Sequence, residues 1–368
     1  MAVCKELRET GDHELRFWCD RKFGANAKGI FAKFDRTIPI DLIVAGKLRR
    51  YHGVGKLAHL RPSILLPNMR DIVLVMAGFV QSVWKLLRWR PDVIFMKGGY
   101  VCLPVGYAAR LLKIPLVLHD SDAHPGLTNR LLAPFASAIG TGAPLEYYNY
   151  PPEKSRYVGI PIAETFRAYS EKEKRTFKAK LGFDPMRPLV VVTGGGLGAK
   201  RINDGVVAVR DALLEEASVY LISGDFQYKE LKSRVDEREG WRLDAFVHEG
   251  MAQVLAAADV VVARAGATTL LELAALHAPT IVVPNGQLTG GHQLKNAKVY
   301  QDALAVVIVT EDDMVESPEV LSSKITGLLR APKIRKGLGE NFAKFAKPHA
   351  AREMAEMILM VVRRRGRR

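Results

Sequence analysis

Val190-Val-Val-Thr-Gly-Gly-Gly-Leu-Gly-Ala199, followed on the other side of Lys200 by Arg201-Ile-Asn203, is the stretch that decides the fold. An apolar run of strand length meets a glycine turn, and the turn opens a helical pattern. Glycine lets the backbone come close to a ligand. The helix N-terminus beyond it offers unbonded N–H groups and the positive end of the helix dipole. Together they suit a phosphate. The same strand, turn and helix pattern recurs in both directions. Strands are expected at Leu15–Cys19, Val93–Met96, Leu116–His119, Val219–Ser223, Val260–Ala263 and Thr280–Pro284. Helices are expected at Val101–Leu112, Arg201–Glu216, Thr268–Leu276 and Gln293–Gln301. Such alternation predicts an α/β fold of βαβ units with parallel sheets. It pauses near Tyr157–Glu164, and a charged helix, Glu171–Leu181, comes before the next strand. A domain boundary is therefore placed at Pro161, giving two doubly wound, Rossmann-like domains facing a cleft.

The chain has 368 residues, which suits two cores of ordinary size. Its net charge is +15, unevenly placed. Residues 1–160 carry 23 Lys and Arg against 13 Asp and Glu, residues 161–362 carry 26 of each, and Arg363–Arg368 supplies the rest. A basic first half and a neutral second half imply different partners; anionic lipid, a diphosphate or nucleic acid would each fit the first. The three cysteines, Cys4, Cys19 and Cys102, form no C-x-x-C pair and no disulfide framework. Ala2–Gly11 lacks the apolar stretch of a secretory signal. The longest apolar run, Ile72–Val80, is under half of what a membrane span needs, so a soluble or peripheral protein is expected. The pattern also begins with a helix, Met1–Glu9, where a doubly wound sheet has its central strand and phosphate loop. The expectation is a late start, with about twenty residues missing, or else a reduced domain.

Three polar constellations in the second half suit a ligand. Gly194, Gly196 and Ala199 also satisfy the dinucleotide fingerprint, with Asp225 as a candidate ribose acid, so the glycine turn alone leaves a dehydrogenase open. The second, Asp259-Val-Val-Val-Ala-Arg-Ala-Gly-Ala267, brings Arg264, Ala265 and Gly266 to another small-residue turn, with Glu272 on the next helix. Two such turns at one sheet edge fit a two-phosphate ligand bearing a sugar, and Glu272 can accept both ribose hydroxyls. The third, Pro284 to Gln293 with Asn296 beyond, supplies neutral donors and acceptors for sugar hydroxyls. In the first half, Lys97-Gly98-Gly99-Tyr100 is a further phosphate-compatible turn. His119-Asp-Ser-Asp122 gathers candidate general bases; its D-x-D spelling is not taken as a metal site, because the nucleotide signals lie elsewhere. Ile72–Arg90 mixes an apolar body with Trp84, Trp89, Lys85, Arg88 and Arg90. Its first half is expected to pack on the sheet and its end to meet a lipid interface.

On these residues, with Gly46-Lys-Leu-Arg-Arg-Tyr51 and Pro125-Gly-Leu-Thr-Asn129 added, the chain resembles the MurG family of glycosyltransferase family 28 over nearly its whole length. The resemblance implies a GT-B fold and an inverting transfer of N-acetylglucosamine from UDP-N-acetylglucosamine to undecaprenyl-diphospho-muramoyl-pentapeptide. It implies work at the cytoplasmic face of the inner membrane as a peripheral protein on an anionic surface, with no cofactor, metal or nucleic acid. It assigns Gly194, Gly195, Gly196 and Gly198 with Arg264, Ala265 and Gly266 to the donor diphosphate, Glu272 to the ribose, Phe246 and Val247 to the uracil, His292 and Gln293 to the sugar, and Asn203 and Asn296 to the donor site. Lys97, Gly98, Gly99 and Tyr100 are to face the acceptor, with Asp122 or His119 as the base or as the group that orients the acceptor. Domains of 1–161, 162–346 and 347–368 follow, the last a helix, Ala350–Val362, returning to the first domain. The sequence departs from the family in lacking its first Gly-rich loop, and in Asp122, Gly196 and Ala163. Other lipid-directed glycosyltransferases, an NAD(P)-dependent oxidoreductase and a non-catalytic nucleotide-binding protein stay open as alternatives.

Overall fold

The computed structural model describes residues 1–47, 62–195, 198–286, 292–317 and 319–366. They form two compact units, Met1–Pro161 with His349–Arg368, and Ile162–Pro348.

The first unit runs α1 (Ala2–Thr10), β1 (Phe17–Cys19), α2 (Arg21–Phe34), β2 (Ile40–Leu42), α3 (Pro62–Arg88), β3 (Ile94–Met96), α4 (Cys102–Leu111), β4 (Leu116–Asp120), α5 (Leu127–Leu132), β5 (Ala138–Thr141) and β6 (Ser155–Tyr157). All its pairings are parallel, and they form two sheets: β1 with β2, and β3-β4-β5-β6. Among the described residues no ladder joins β1 to β3. Side chains bridge them instead. The Tyr100 hydroxyl, just past β3, donates to the carboxylate of Asp20, just past β1. At the other end the Arg16 guanidinium lies 4.6 Å from the Trp89 ring centre.

The second unit runs α6 (Glu171–Lys180), β7 (Leu189–Thr193), α7 (Lys200–Ala208), α8 (Arg210–Glu216), β8 (Ser218–Ile222), α9 (Asp225–Arg234), β9 (Trp241–Asp244), α10 (Met251–Ala256), β10 (Val260–Ala263), α11 (Ala267–Ala275), β11 (Thr280–Val282), α12 (His292–Asp302), β12 (Val307–Ile308), α13 (Glu311–Glu316), α14 (Val320–Leu329) and α15 (Pro332–Ala343). Its strands form one parallel sheet in the order β12-β11-β10-β7-β8-β9. Every position of β7, β8 and β10 is buried, as a parallel sheet covered on both faces requires. Val190, Val192, Val260 and Val262 pack with Ile202, Val206 and Leu213 of the helices after β7 and with Leu321 and Ile325 of α14. The predicted helix Arg201–Glu216 is two helices, broken at Val209, whose φ of −107° and ψ of 13° are not helical. The break turns the Arg210 side chain to Asp236, 2.6 Å away, and over the Trp241 ring.

The last helix, α16 (Ala350–Gly366), belongs to the first unit. Its Met354, Ile358 and Val361 close over Val117 and Val158 beside Val3 and Leu7 of α1. The expectation that the first half of α3 is packed holds for one face only, where Gly78 lies buried against the Val44 carbonyl and Pro104. Met69, Val73, Met76 and Val80 are 55–67% exposed, as bare as Trp84 and Leu87 at its other end. Their spacing of three and four residues puts them on one stripe.

Candidate functional site

In the second unit Thr193 and Ala263 are register partners at the ends of the adjacent strands β7 and β10. Sheet order reverses between these strands, the place where doubly wound sheets bind ligands. Both small-residue turns therefore leave neighbouring strands side by side. The first is tight enough to exclude larger residues. A Cβ at Gly194 would stand 2.3 Å from the Ala199 nitrogen. Gly198 has a φ of +74°, and its Cβ would stand 2.2 Å from the Ser223 carbonyl oxygen. The helices that follow, α7 and α11, have Ala199 and Gly266 as N-caps, neither with a side-chain cap bond. By contrast, α6 and α13 both carry full capping boxes. Two helix N-termini without side-chain caps, following adjacent strands, have the chemistry that suits an anion.

Glu272 sits half-buried on the second turn of α11. Among the described residues no side chain or N–H bonds its carboxylate, and burial pushes its pKa up to about 7. Hydroxyls donating to it would relieve that desolvation. Asn296 is buried and its amide donates to the Ala265 carbonyl, 3.1 Å away, bracing the second turn. Gln293 accepts from the Asn285 N–H at 2.8 Å. Phe246 is exposed and packs edge-on to His248, and Val247 is half-buried beside it. Asn203 is fully buried; its amide donates to the Ser223 carbonyl and to Gln227. It braces the glycine turn from behind, which corrects the direct donor contact expected of it. The Arg264 guanidinium is also turned inward, to the Val283 carbonyl and to Glu311. Glu311 was missed, since an acid after Thr310 reads in sequence as a routine first-turn helix residue. Gly196 and the side chain of His292 lie outside the described residues.

In the first unit Gly98 and Gly99 both have positive φ, 79° and 86°, and form the turn between β3 and α4. Lys97 is exposed beside them and Tyr100 is half-buried. α4 too begins without a side-chain cap. His119 is fully buried at the end of β4. Its Nε2 lies 2.7 Å from the Gly159 carbonyl, so that nitrogen carries the proton, and Nδ1 accepts from the Ser121 hydroxyl at 3.3 Å. Burial, with the charge of Lys97 second, lowers its pKa to about 4. With both nitrogens occupied and no exposure, His119 is a poor base, and the expectation that it could serve as one is corrected. Asp122 is half-buried, and its carbonyl accepts from the Tyr148 hydroxyl at 2.6 Å. Neighbouring Asp120 is buried against the Tyr150 hydroxyl at 2.7 Å, and desolvation lifts its pKa to about 6. Among the described residues no group of three or more His, Cys, Asp or Glu could hold a metal ion. Asp225 is exposed at the start of α9; a dinucleotide site built on it would leave Arg264–Gly266 and Glu272 unused.

Comparison with known proteins agrees with this geometry. Residues 1–141 match the model of the glycosyltransferase family 28 N-terminal domain, and residues 189–354 that of its C-terminal domain. The UDP-N-acetylglucosamine--N-acetylmuramyl-(pentapeptide) pyrophosphoryl-undecaprenol N-acetylglucosamine transferase 2 of Bacillus cereus is 34% identical over 76% of this chain and 75% of its own. The corresponding Clostridium kluyveri transferase is 31% identical over 89% and 86%. Among solved structures, MurG of Acinetobacter baumannii superposes with a TM-score of 0.73 at 23% identity, over 98% of this chain and 94% of that one. A UDP-GlcNAc 2-epimerase of Neisseria meningitidis bound to UDP-GlcNAc reaches 0.65 at 12% identity, over 98% and 95%. The architecture is GT-B, with two Rossmann-like units, and the chain belongs to the MurG family of glycosyltransferase family 28.

Proposed function

We propose that the protein moves N-acetylglucosamine from UDP-N-acetylglucosamine to undecaprenyl-diphospho-N-acetylmuramoyl-pentapeptide, with inversion at the anomeric carbon. One observation carries the donor half: two helix N-termini without side-chain caps follow the neighbouring strands β7 and β10, and the second of those helices carries Glu272, a carboxylate with no partner among the described residues. The turn carrying Gly194, Gly195, Gly196 and Gly198 and the turn carrying Ala265 and Gly266 surround the diphosphate with the helix N-termini behind them, and Glu272 receives the ribose hydroxyls. Phe246 and Val247 meet the uracil, and His292 and Gln293 the sugar. Asn296, Asn203 and Arg264 hold the turns in place. The acceptor's diphosphate meets the Lys97–Tyr100 turn.

Asp122 takes the proton of the attacking acceptor hydroxyl. As the new oxygen–carbon bond forms, the bond to the diphosphate breaks and UDP leaves with its electron pair. The two helix dipoles stabilise the charge that develops there, as a metal does in other transferases. The test is transfer of labelled N-acetylglucosamine onto the lipid-linked muramoyl-pentapeptide, with disaccharide–lipid as the expected product. Absence of both transfer and UDP-N-acetylglucosamine binding would overturn the proposal.

The acceptor is a lipid, so the protein works as a peripheral protein on the anionic cytoplasmic face of the membrane. The exposed apolar stripe of α3 supports this, with Arg88 stacked 3.9 Å over the Trp84 ring at its end. An apolar stripe edged by arginine suits a headgroup boundary. Among the described residues no helix is long and apolar enough to cross a membrane.

A further inference from the structure

The two donor turns are tied together by one side chain that lies on neither. Glu311 is the first residue of α13 and is 8% exposed. One carboxylate oxygen accepts from Arg264 Nη2 at 2.5 Å, and the other accepts from Arg201 Nη1 at 2.8 Å. Arg264 belongs to the turn after β10, and Arg201 is the second residue of α7, directly after the glycine turn. Arg264 is further held through its other terminal nitrogen to the Val283 carbonyl at 3.1 Å. Glu311 itself is held firmly, because Thr310 and Asp313 close a reciprocal capping box around it. A single buried carboxylate thus spans two guanidiniums through charge-assisted bonds, which are short, strong and direction-specific.

We propose that Glu311 is a positioning residue for diphosphate binding: it sets the separation of the two turns, holds Arg264 inward and aims Arg201. This rests on the assignment of the donor to the two turns. Two arginines left to repel one another would splay the turns apart, and one carboxylate between them prevents this while leaving the cluster with net positive charge for the ligand. Glu311 stands away from Glu272 in sequence and on a different helix, so the part of the ligand without phosphate should not sense its loss.

The experiment measures binding of uridine, UDP and UDP-N-acetylglucosamine to the full chain and to Glu311→Gln, which keeps the size of the side chain and removes its charge. UDP and UDP-N-acetylglucosamine should weaken by about tenfold or more, the effect of losing charge-assisted bonds, with uridine unchanged. Equal UDP affinity in the variant, or equal losses for UDP and uridine, would overturn the proposal. If Glu311→Gln loses its circular dichroism signal, Arg201→Gln carries the test. Arg201 is about half exposed and its removal leaves the Arg264–Glu311 pair intact. It should weaken UDP by at least about threefold with uridine again unchanged, and unchanged UDP affinity there would overturn the proposal. Failure of the donor assignment looks different: the unaltered protein would then bind none of the three ligands.

Discussion

At the scale of single residues, the proposed donor site rests most heavily on Glu272 and Gly198, and each predicts a distinct failure. Among the described residues Glu272 has no hydrogen-bond partner, and burial raises its pKa to about 7. Its charged form is the better acceptor for two ribose hydroxyls. UDP-N-acetylglucosamine, whose diphosphate does not titrate near neutrality, should therefore bind more tightly as pH rises from 6 to 8. Glu272→Ala should weaken donor binding by about tenfold to a hundredfold, the range for hydrogen bonds to a charged group, and the rise with pH should disappear; calorimetry across pH reads both. The stability effect has the opposite sign. A carboxyl whose folded pKa lies above its unfolded value of 4.5 destabilises the fold above about pH 7 and not below pH 4.5. Glu272→Gln should thus stabilise the protein at pH 8 by on the order of 1–2 kcal/mol, with no gain at pH 4. Gly198 predicts the reverse pairing. Its φ of +74° and the Ser223 carbonyl 2.2 Å from any Cβ leave no room for alanine. Gly198→Ala should cost about 2–4 kcal/mol in chemical denaturation and lose donor binding as the turn opens.

At the scale of elements, α3 shows what the sequence could and could not say. The alternation of apolar strands with glycine turns was legible because each turn is local, so the strands around Val190, Val260 and Leu116 stand where the pattern puts them. What decides α3 is which elements cover it, and that is not local. Its stripe Met69, Val73, Met76, Val80, Trp84 and Leu87 has the spacing of a packed helix, yet it lies exposed. The same limit hid the break at Val209, which answers to Asp236 beyond the next strand, and Glu311, which answers to Arg264 and Arg201 at separations of 47 and 110 residues. It also misjudged His119, whose ring type suggests a base while its full burial denies it solvent. The exposed stripe makes its own prediction. Replacing Val73, Met76 and Val80 together by serine should abolish flotation with vesicles containing anionic lipid. Because these side chains already face solvent, thermal stability should change by less than about 1 kcal/mol. Retained flotation would remove α3 from the membrane surface.

At the scale of the whole molecule, the chain closes its first unit with its last helix. α16 follows the complete second unit, yet Met354 is fully buried under the first unit's sheet, where a Cβ on Gly140 would stand 2.8 Å from its sulfur. Val3 and Leu7 of α1 share that cluster, so residues from both ends of the chain cover one face of β4 and β5. The first unit cannot bury this face until the final residues are in place. Its stability therefore depends on contacts of very long sequence separation, while the core cluster of the second unit is drawn from within Ile162–Pro348. Met354→Ala separates the two. Deleting so well-packed a side chain should cost about 2–4 kcal/mol, and the loss should fall on one unit. Amide hydrogen exchange should quicken in α1, β4, β5 and α16, with protection in β7, β8 and β10 unchanged and UDP-N-acetylglucosamine affinity preserved within about twofold. Exchange that quickens equally in both sheets would mean that the two units unfold as one, and that α16 stabilises the entire chain instead of the unit it covers.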